Sequence, residues 1–175
     1  KLLLFNKNYV NKKITIFNKF SKIQKNIKNN KKFNLLIIQE DVISNEIIIE
    51  LIHKLKKVKN SKIYFKFRPN DLIDKNLKSF LINNKIKFFY QENIYKIFKD
   101  YKISFLLASN SSLLLECSFF SIFPIMFYVK KPILNDYIVD KVVFPSKIKS
   151  INKEIIKIRD QACKLSKIRK KVWID

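Results

Sequence analysis

The middle of this chain is a succession of short apolar runs separated by longer amphipathic segments, and that rhythm constrains the fold more than any other feature. Phe33–Ile38 (FNLLII) and Ile103–Leu107 (ISFLL) are nearly continuous in apolar residues. Lys62–Phe67 (KIYFKF) alternates and is aromatic, and Ile86–Tyr90 and Pro124–Tyr128 complete the set. Runs this short suit β-strands, and near-continuous ones suit strands covered on both faces. The intervening segments have helical spacing. Ser44 caps a predicted helix to about Val58, with Ile47, Ile48, Leu51, Ile52 and Leu55 on one face. Leu72–Ile82, Ile94–Phe98 and the stretch from Asn110 to about Phe120 supply three more helices. A β-α-β-α-β-α-β-α-β order implies right-handed crossovers. The expected class is therefore α/β: a Rossmann-like parallel sheet with helices on both faces.

The flanks read differently. Residues 1–30 form a Lys/Asn-rich lead with two apolar runs, Leu2–Phe5 and Ile14–Phe17, read as a linker or the end of a preceding domain. Residues 31–150 make the sheet domain. Residues 151–175 are read as a C-terminal amphipathic helix carrying Ile155, Ile156, Ile158, Ala162, Leu165 and Ile168. The chain begins at Lys1 rather than Met, which suggests a fragment of something longer.

Composition removes several chemistries. The 175 residues include no glycine, against about 7% in an average chain. The Walker A loop, the dinucleotide fingerprint and the nucleophile elbow all require it. His53, the only histidine, falls inside a predicted helix and reads as structural, which argues against a Ser-His-Asp triad. Cys117 and Cys163 form no CxxC pair and no His/Cys cluster, so no metal site is expected. They read as reduced, buried thiols of a cytosolic protein.

The net charge of +23 implies attraction to phosphates, anionic glycans or membrane surfaces. The lysines are spread along the whole chain, however, and Ile, Lys, Asn and Phe are all abundant. A coding bias with a solvated surface accounts for that pattern better than a selected basic face. The apolar stretch Leu113–Val129 falls short of the roughly 20 residues of a membrane span and contains Glu116 and Pro124. A buried helix followed by a buried strand explains it better.

Parallel sheets of this kind bind ligands beyond the carboxyl ends of their strands. The residues there are Gln39-Glu40-Asp41, Arg68-Pro69-Asn70-Asp71, Gln91-Glu92-Asn93 and Ser109-Asn110-Ser111-Ser112. The last run opens a predicted helix directly after a buried strand. A helix start offers free N–H groups and partial positive charge, which suit a phosphate, and the Ser111 and Ser112 hydroxyls add donors. Plain N-capping explains the same residues equally well. Glu116, one turn beyond Ser112, is expected to face the same site. Arg68 is one of three arginines in a Lys-rich chain, and its fork of donors fits a phosphate or carboxylate. A surface ion pair with a neighbour such as Asp71 is the plainer account of it.

KIYFKFRPND, followed by YQENIYKIFKDYKISFLLASNSSLLLECSFFSIFPIMF, resembles the C-terminal domain of GT-B glycosyltransferases. The nearest resemblance is to enzymes of bacterial surface-polysaccharide assembly, sialyltransferase-like or capsule-type. Those carry a strand ending in a Lys-Pro-His-Pro-type motif, then a strand, a Ser-Ser or Ser-Thr helix start, a helix Glu, and a proline before the next strand. Here Lys66-Phe67-Arg68-Pro69-Asn70 stands at the first motif, with Arg68 in the place of the His. Ser111-Ser112, Glu116 and Pro124 match the rest, without the usual Gly before the proline. The resemblance covers roughly residues 33–145.

It implies one half of a GT-B fold that binds the nucleotide part of an activated sugar. Arg68 would take the catalytic role of stabilising the leaving phosphate. Gln39, Asn70, Gln91, Asn110, Ser111, Ser112 and Glu116 would bind substrate. It implies no metal and no cofactor beyond the nucleotide-sugar donor. The acceptor would be a glycan or lipid-linked, and the protein would be cytoplasmic or peripheral at the inner, anionic face of the membrane. The base would come from the other domain, so this chain alone would bind without turnover. A sugar-nucleotide epimerase-like protein of the same fold is the nearest alternative. A basic nucleic-acid-binding protein is a second, against which no RRM, KH, zinc-finger or helix-turn-helix signature is present.

Overall fold

The apolar runs become strands almost residue for residue in the computed structural model, which describes residues 32–69, 73–120, 122–131 and 143–172. The N-terminal lead, Asn70 and Leu72 lie outside the described residues. The elements are β1 (Phe33–Ile38), α1 (Asn45–Leu55), β2 (Ser61–Lys66), α2 (Lys75–Asn83), β3 (Lys87–Phe89), α3 (Ile94–Asp100), β4 (Ile103–Ala108), α4 (Leu113–Glu116), β5 (Phe123–Tyr128), β6 (Phe144–Lys147) and α5 (Ile151–Val172).

The six strands form one sheet in the order β3-β2-β1-β4-β5-β6, and every neighbouring pair is parallel. Central Leu36 aligns with Tyr64 on one side and Leu106 on the other. Strand alternation sends successive side chains to opposite faces, and both faces are covered. On one face Leu35, Ile37, Phe65, Phe105, Ile125 and Phe127 pack with Ile48, Leu51 and Leu55 of α1, Leu77 and Leu81 of α2, and Ile151, Ile155 and Ile158 of α5. On the other, Leu36, Tyr64, Phe89, Leu106 and Met126 pack with Ile97 and Phe98 of α3 and Leu114 of α4. All six residues of β4 are buried, Ser104 included, as a strand covered on both faces requires. This is a Rossmann-like α/β fold with the chain order reversing between β1 and β4.

Two features differ from the sequence reading. The helix expected from Asn110 to Phe120 is a single α-turn, Leu113–Glu116, followed by a 3₁₀ turn over Cys117–Phe120. The connection must return within a few residues to lay Phe123 beside Phe105, and Ile122 N–H closes it on the Cys117 carbonyl at 3.3 Å. The tighter turn also buries Phe120 and Ile122 against the sheet. β6 is the second difference: FPSK lacks an apolar run, because only Ser146 of its four residues is fully buried.

Helices end without glycine. Asn60, Lys85 and Lys102 adopt left-handed backbone conformations, with φ of 61°, 55° and 46°. They stand just before β2, β3 and β4. At Lys85 the amides of Lys85 and Ile86 bond the carbonyls of Ile82 and Leu81, the pairing of a Schellman cap. His53 packs its ring edgewise on Phe80 at 5.3 Å. Cys117 is a buried free thiol, and the side chain of Cys163 lies outside the described residues. Among the described residues no helix is long and apolar enough to cross a membrane.

Candidate functional site

The carboxyl edge of the sheet opens into a cleft of about 670 Å³ at the point where the strand order reverses. A volume of that order suits a small-molecule ligand, and this is the edge where such sheets bind one. β1 lies between β2 and β4, so the cleft is built from the turns after four strands. Gln39 and Glu40 come from β1, Lys66 and Arg68 from β2, Gln91 and Glu92 from β3, and Asn110, Ser111 and Ser112 from β4.

Six of the sequence-predicted residues therefore line one cavity: Gln39, Arg68, Gln91, Asn110, Ser111 and Ser112. Asn70 lies outside the described residues. Glu116 is not among the residues lining the cleft. It is half-buried, and its Oε2 accepts a hydrogen bond from the Tyr95 hydroxyl at 2.6 Å, which ties α4 to α3. The helix begins at Leu113 rather than Asn110, and its fourth residue faces α3.

The expected phosphate cradle is partly filled from within. The Glu40 carboxylate accepts from the backbone N–H groups of Ser109 and Asn110, the second at 2.8 Å. Glu40 is buried, and desolvation pushes its pKa above the usual carboxylate value. Those two amides and the nearby Arg68 pull the other way. Further along the turn, Ser111 Oγ accepts from Leu113 N–H at 3.3 Å, and the Ser112 side chain makes no capping bond. The Ser111 and Ser112 amides have no acceptor among the described residues. Ser109 Oγ is buried without a hydrogen-bond partner among the described residues.

Arg68 pairs with Asp41 from the β1 turn, and its backbone N–H meets Gln39 Oε1 at 3.4 Å; Asp71, the neighbour expected from the sequence, lies outside the described residues. Both members of the ion pair are about half exposed, so the pair contributes little stability. It does link the β1 and β2 turns across the cleft mouth. Asn93 caps α3, accepting from Tyr95 N–H at 2.9 Å and Lys96 N–H at 3.4 Å.

Glu40 and Lys66 are two cleft residues that the sequence reading named only within longer runs and gave no role. Glu40 sits in the polar run after β1, where nothing distinguishes it from exposed Asp41. Lys66 shares a strand face with Tyr64, and alternation alone makes it look like another solvated lysine. It is in fact buried. Its Nζ donates to the carbonyls of Phe67, at 2.9 Å, and Tyr90. Burial lowers its pKa, and the neighbouring Glu92 charge partly counters that shift.

No protein-family model matches the chain, and no curated protein matches it in sequence. Solved structures do match. TarM superposes with a TM-score of 0.54 at 16% identity, over 81% of this chain and 32% of its own. A glycosyltransferase from Rickettsia africae gives 0.57 at 14%, over 90% and 47%. A Listeria monocytogenes protein assigned as a UDP-N-acetylglucosamine 2-epimerase gives 0.58 at 9%, over 85% and 42%. This chain thus spans less than half the length of each. Identities this low carry the fold alone: the Rossmann-like α/β arrangement that this chain shares with part of each of these proteins.

Proposed function

We propose that this domain is the donor-binding half of a glycosyltransferase, and that the cleft between the β1 and β4 turns takes the nucleotide end of an activated sugar. The observation that carries the reading is the convergence of Gln39, Arg68, Gln91, Asn110, Ser111 and Ser112 on one cavity at the strand-order reversal. The free amides and hydroxyls at Ser111 and Ser112 would hold a phosphate, and Arg68 would offset charge developing on the leaving group. In this reading the chemistry is electrostatic and needs neither a metal nor a cofactor beyond the donor itself. The acceptor is a glycan or lipid-linked glycan of the cell surface, built at the cytoplasmic side of the membrane. The fold shared with the Rickettsia glycosyltransferase supports the transferase part of this reading.

The test is a thermal-shift and calorimetric panel of UDP, CMP and GDP sugars on the full-length protein. One nucleotide class should raise the melting temperature in a dose-dependent way. No stabilisation by any member would sink the reading. The likeness to the assigned epimerase favours a second possibility, that the nucleotide sugar is isomerised. Incubating the protein with the bound nucleotide sugar and no acceptor separates the two: only an epimerase releases an altered nucleotide sugar.

A further inference from the structure

We propose that the ammonium of Lys66 is an oxyanion-binding group of the cleft. It would take either a phosphate oxygen of a nucleotide or the carboxylate of an acidic sugar. The proposal deepens the donor-site reading and rests on it for the identity of the larger ligand.

Two cations line the cleft among the described residues, Lys66 and Arg68. Arg68 already faces the Asp41 carboxylate. Lys66 is only 6% exposed, yet no carboxylate lies within ion-pair distance of it among the described residues. Its Nζ has three N–H donors, and the two carbonyls of Phe67 and Tyr90 account for two of them. One donor and a full charge remain in a site that also lines the cavity. The nearest counter-charge, Glu92, acts on Lys66 from beyond ion-pair distance and offsets the cost of burial only in part, and a ligand anion arriving there would relieve the remainder.

None of the carboxylates lining the same cleft reaches Lys66 at ion-pair distance, and each has a donor of its own. Glu40 holds the amides of Ser109 and Asn110. Glu92 Oε2 accepts from Tyr90 N–H at 2.7 Å, and Asp41 has Arg68. These carboxylates are thus engaged from inside the protein, while a buried cation keeps an open donor. The two carbonyls fix the amine at the ends of β2 and β3, so the anion would meet a preset donor rather than a mobile surface lysine.

The experiment titrates the full-length protein with inorganic pyrophosphate and, separately, with glucuronate. Calorimetry is run alongside the ¹⁵N resonance of the Lys66 side chain. If the phosphate source is right, pyrophosphate binds and shifts the Lys66 Nζ signal. If the carboxylate source is right, glucuronate does so. Lys66→Gln keeps N–H donors for the two carbonyls but removes the charge, and should weaken the binding anion at least about ten-fold. Lys66→Arg should retain most of the affinity, and Lys62→Gln, an exposed lysine of the same strand, should leave it unchanged. Binding of neither anion overturns the proposal. So does binding that leaves the Lys66 signal in place, a readout that stands even if the Gln variant fails to fold. If pyrophosphate binds through Lys66 but no nucleotide sugar does, the donor reading fails and this site stands.

Discussion

The carboxylate of Glu40, at the end of β1, accepts the backbone N–H of Asn110, at the end of β4, at 2.8 Å. With the Ser109 amide as a second donor, one buried side chain clamps the two strands that flank the reversal of chain order. The cleft's deepest amides are therefore a structural joint. In the proposed reading a ligand would be left with the later ones, at Ser111 and Ser112.

Glu40→Gln should loosen that joint. The amide can accept one of the two N–H bonds well, and its own NH₂ then opposes a backbone donor. The expected cost is about 1–3 kcal/mol, read by urea denaturation. The pH dependence has a definite sign. The folded-state pKa of Glu40 lies above its ordinary value of 4.5. The stability linked to its protonation is fully present below that ordinary value and is lost as pH rises through the raised one. The wild-type advantage over Glu40→Gln should therefore shrink from about pH 4 toward neutrality. An advantage that grows with pH would mean the amides outweigh burial.

Arg68 and Ser112 are predicted to act on the ligand. Replacing both with Ala should weaken nucleotide binding by at least about ten-fold, since charge-assisted hydrogen bonds contribute roughly 1.5–3 kcal/mol each. The Asp41 pairing adds a sharper expectation. Arg68→Ala alone leaves a carboxylate unopposed at the cleft mouth, so adding Asp41→Ala should recover part of the lost affinity. Calorimetry on the four proteins of that cycle decides it. Unchanged affinity in Arg68→Ala/Ser112→Ala would falsify the site assignment and leave the fold untouched.

Glu116 belongs to a different circuit. Because it is tied to Tyr95 and does not line the cleft, Glu116→Gln should change nucleotide affinity less than about two-fold. Tyr95→Phe should lower stability by about 0.5–1.5 kcal/mol, since the bond lies near the surface. A large loss of affinity in Glu116→Gln, with stability intact, would return that residue to the site.

The parts of the fold legible in the sequence were those set by burial on both faces. FNLLII and ISFLL announce themselves because all but one residue of each is apolar, and β1 and β4 begin where those runs begin. β6 was illegible because its FPSK sequence buries one serine fully and no large side chain. The site was half legible for a related reason. Topology places the post-strand turns together, so Gln39, Arg68, Gln91 and Ser111 could be gathered from their positions alone. Which carboxylate turns inward is decided by hydrogen-bond partners about 70 residues away, which no local pattern records for Glu40. Lys66 was hidden similarly, since a buried lysine and a solvated one look identical in an alternating strand.

A chain without glycine must still turn corners, and Asn60, Lys85 and Lys102 absorb that requirement. Each stands where a helix hands over to the next strand, at the edge of the sheet facing away from the cleft. A side chain held in the left-handed region costs about 1 kcal/mol. The molecule thus has a division of labour between its two rims: one carries backbone tension and the other the proposed binding cleft. Glycine at Lys85 and Lys102 should raise the melting temperature with no change in ligand affinity, so the stability of this domain can be tuned independently of what it binds.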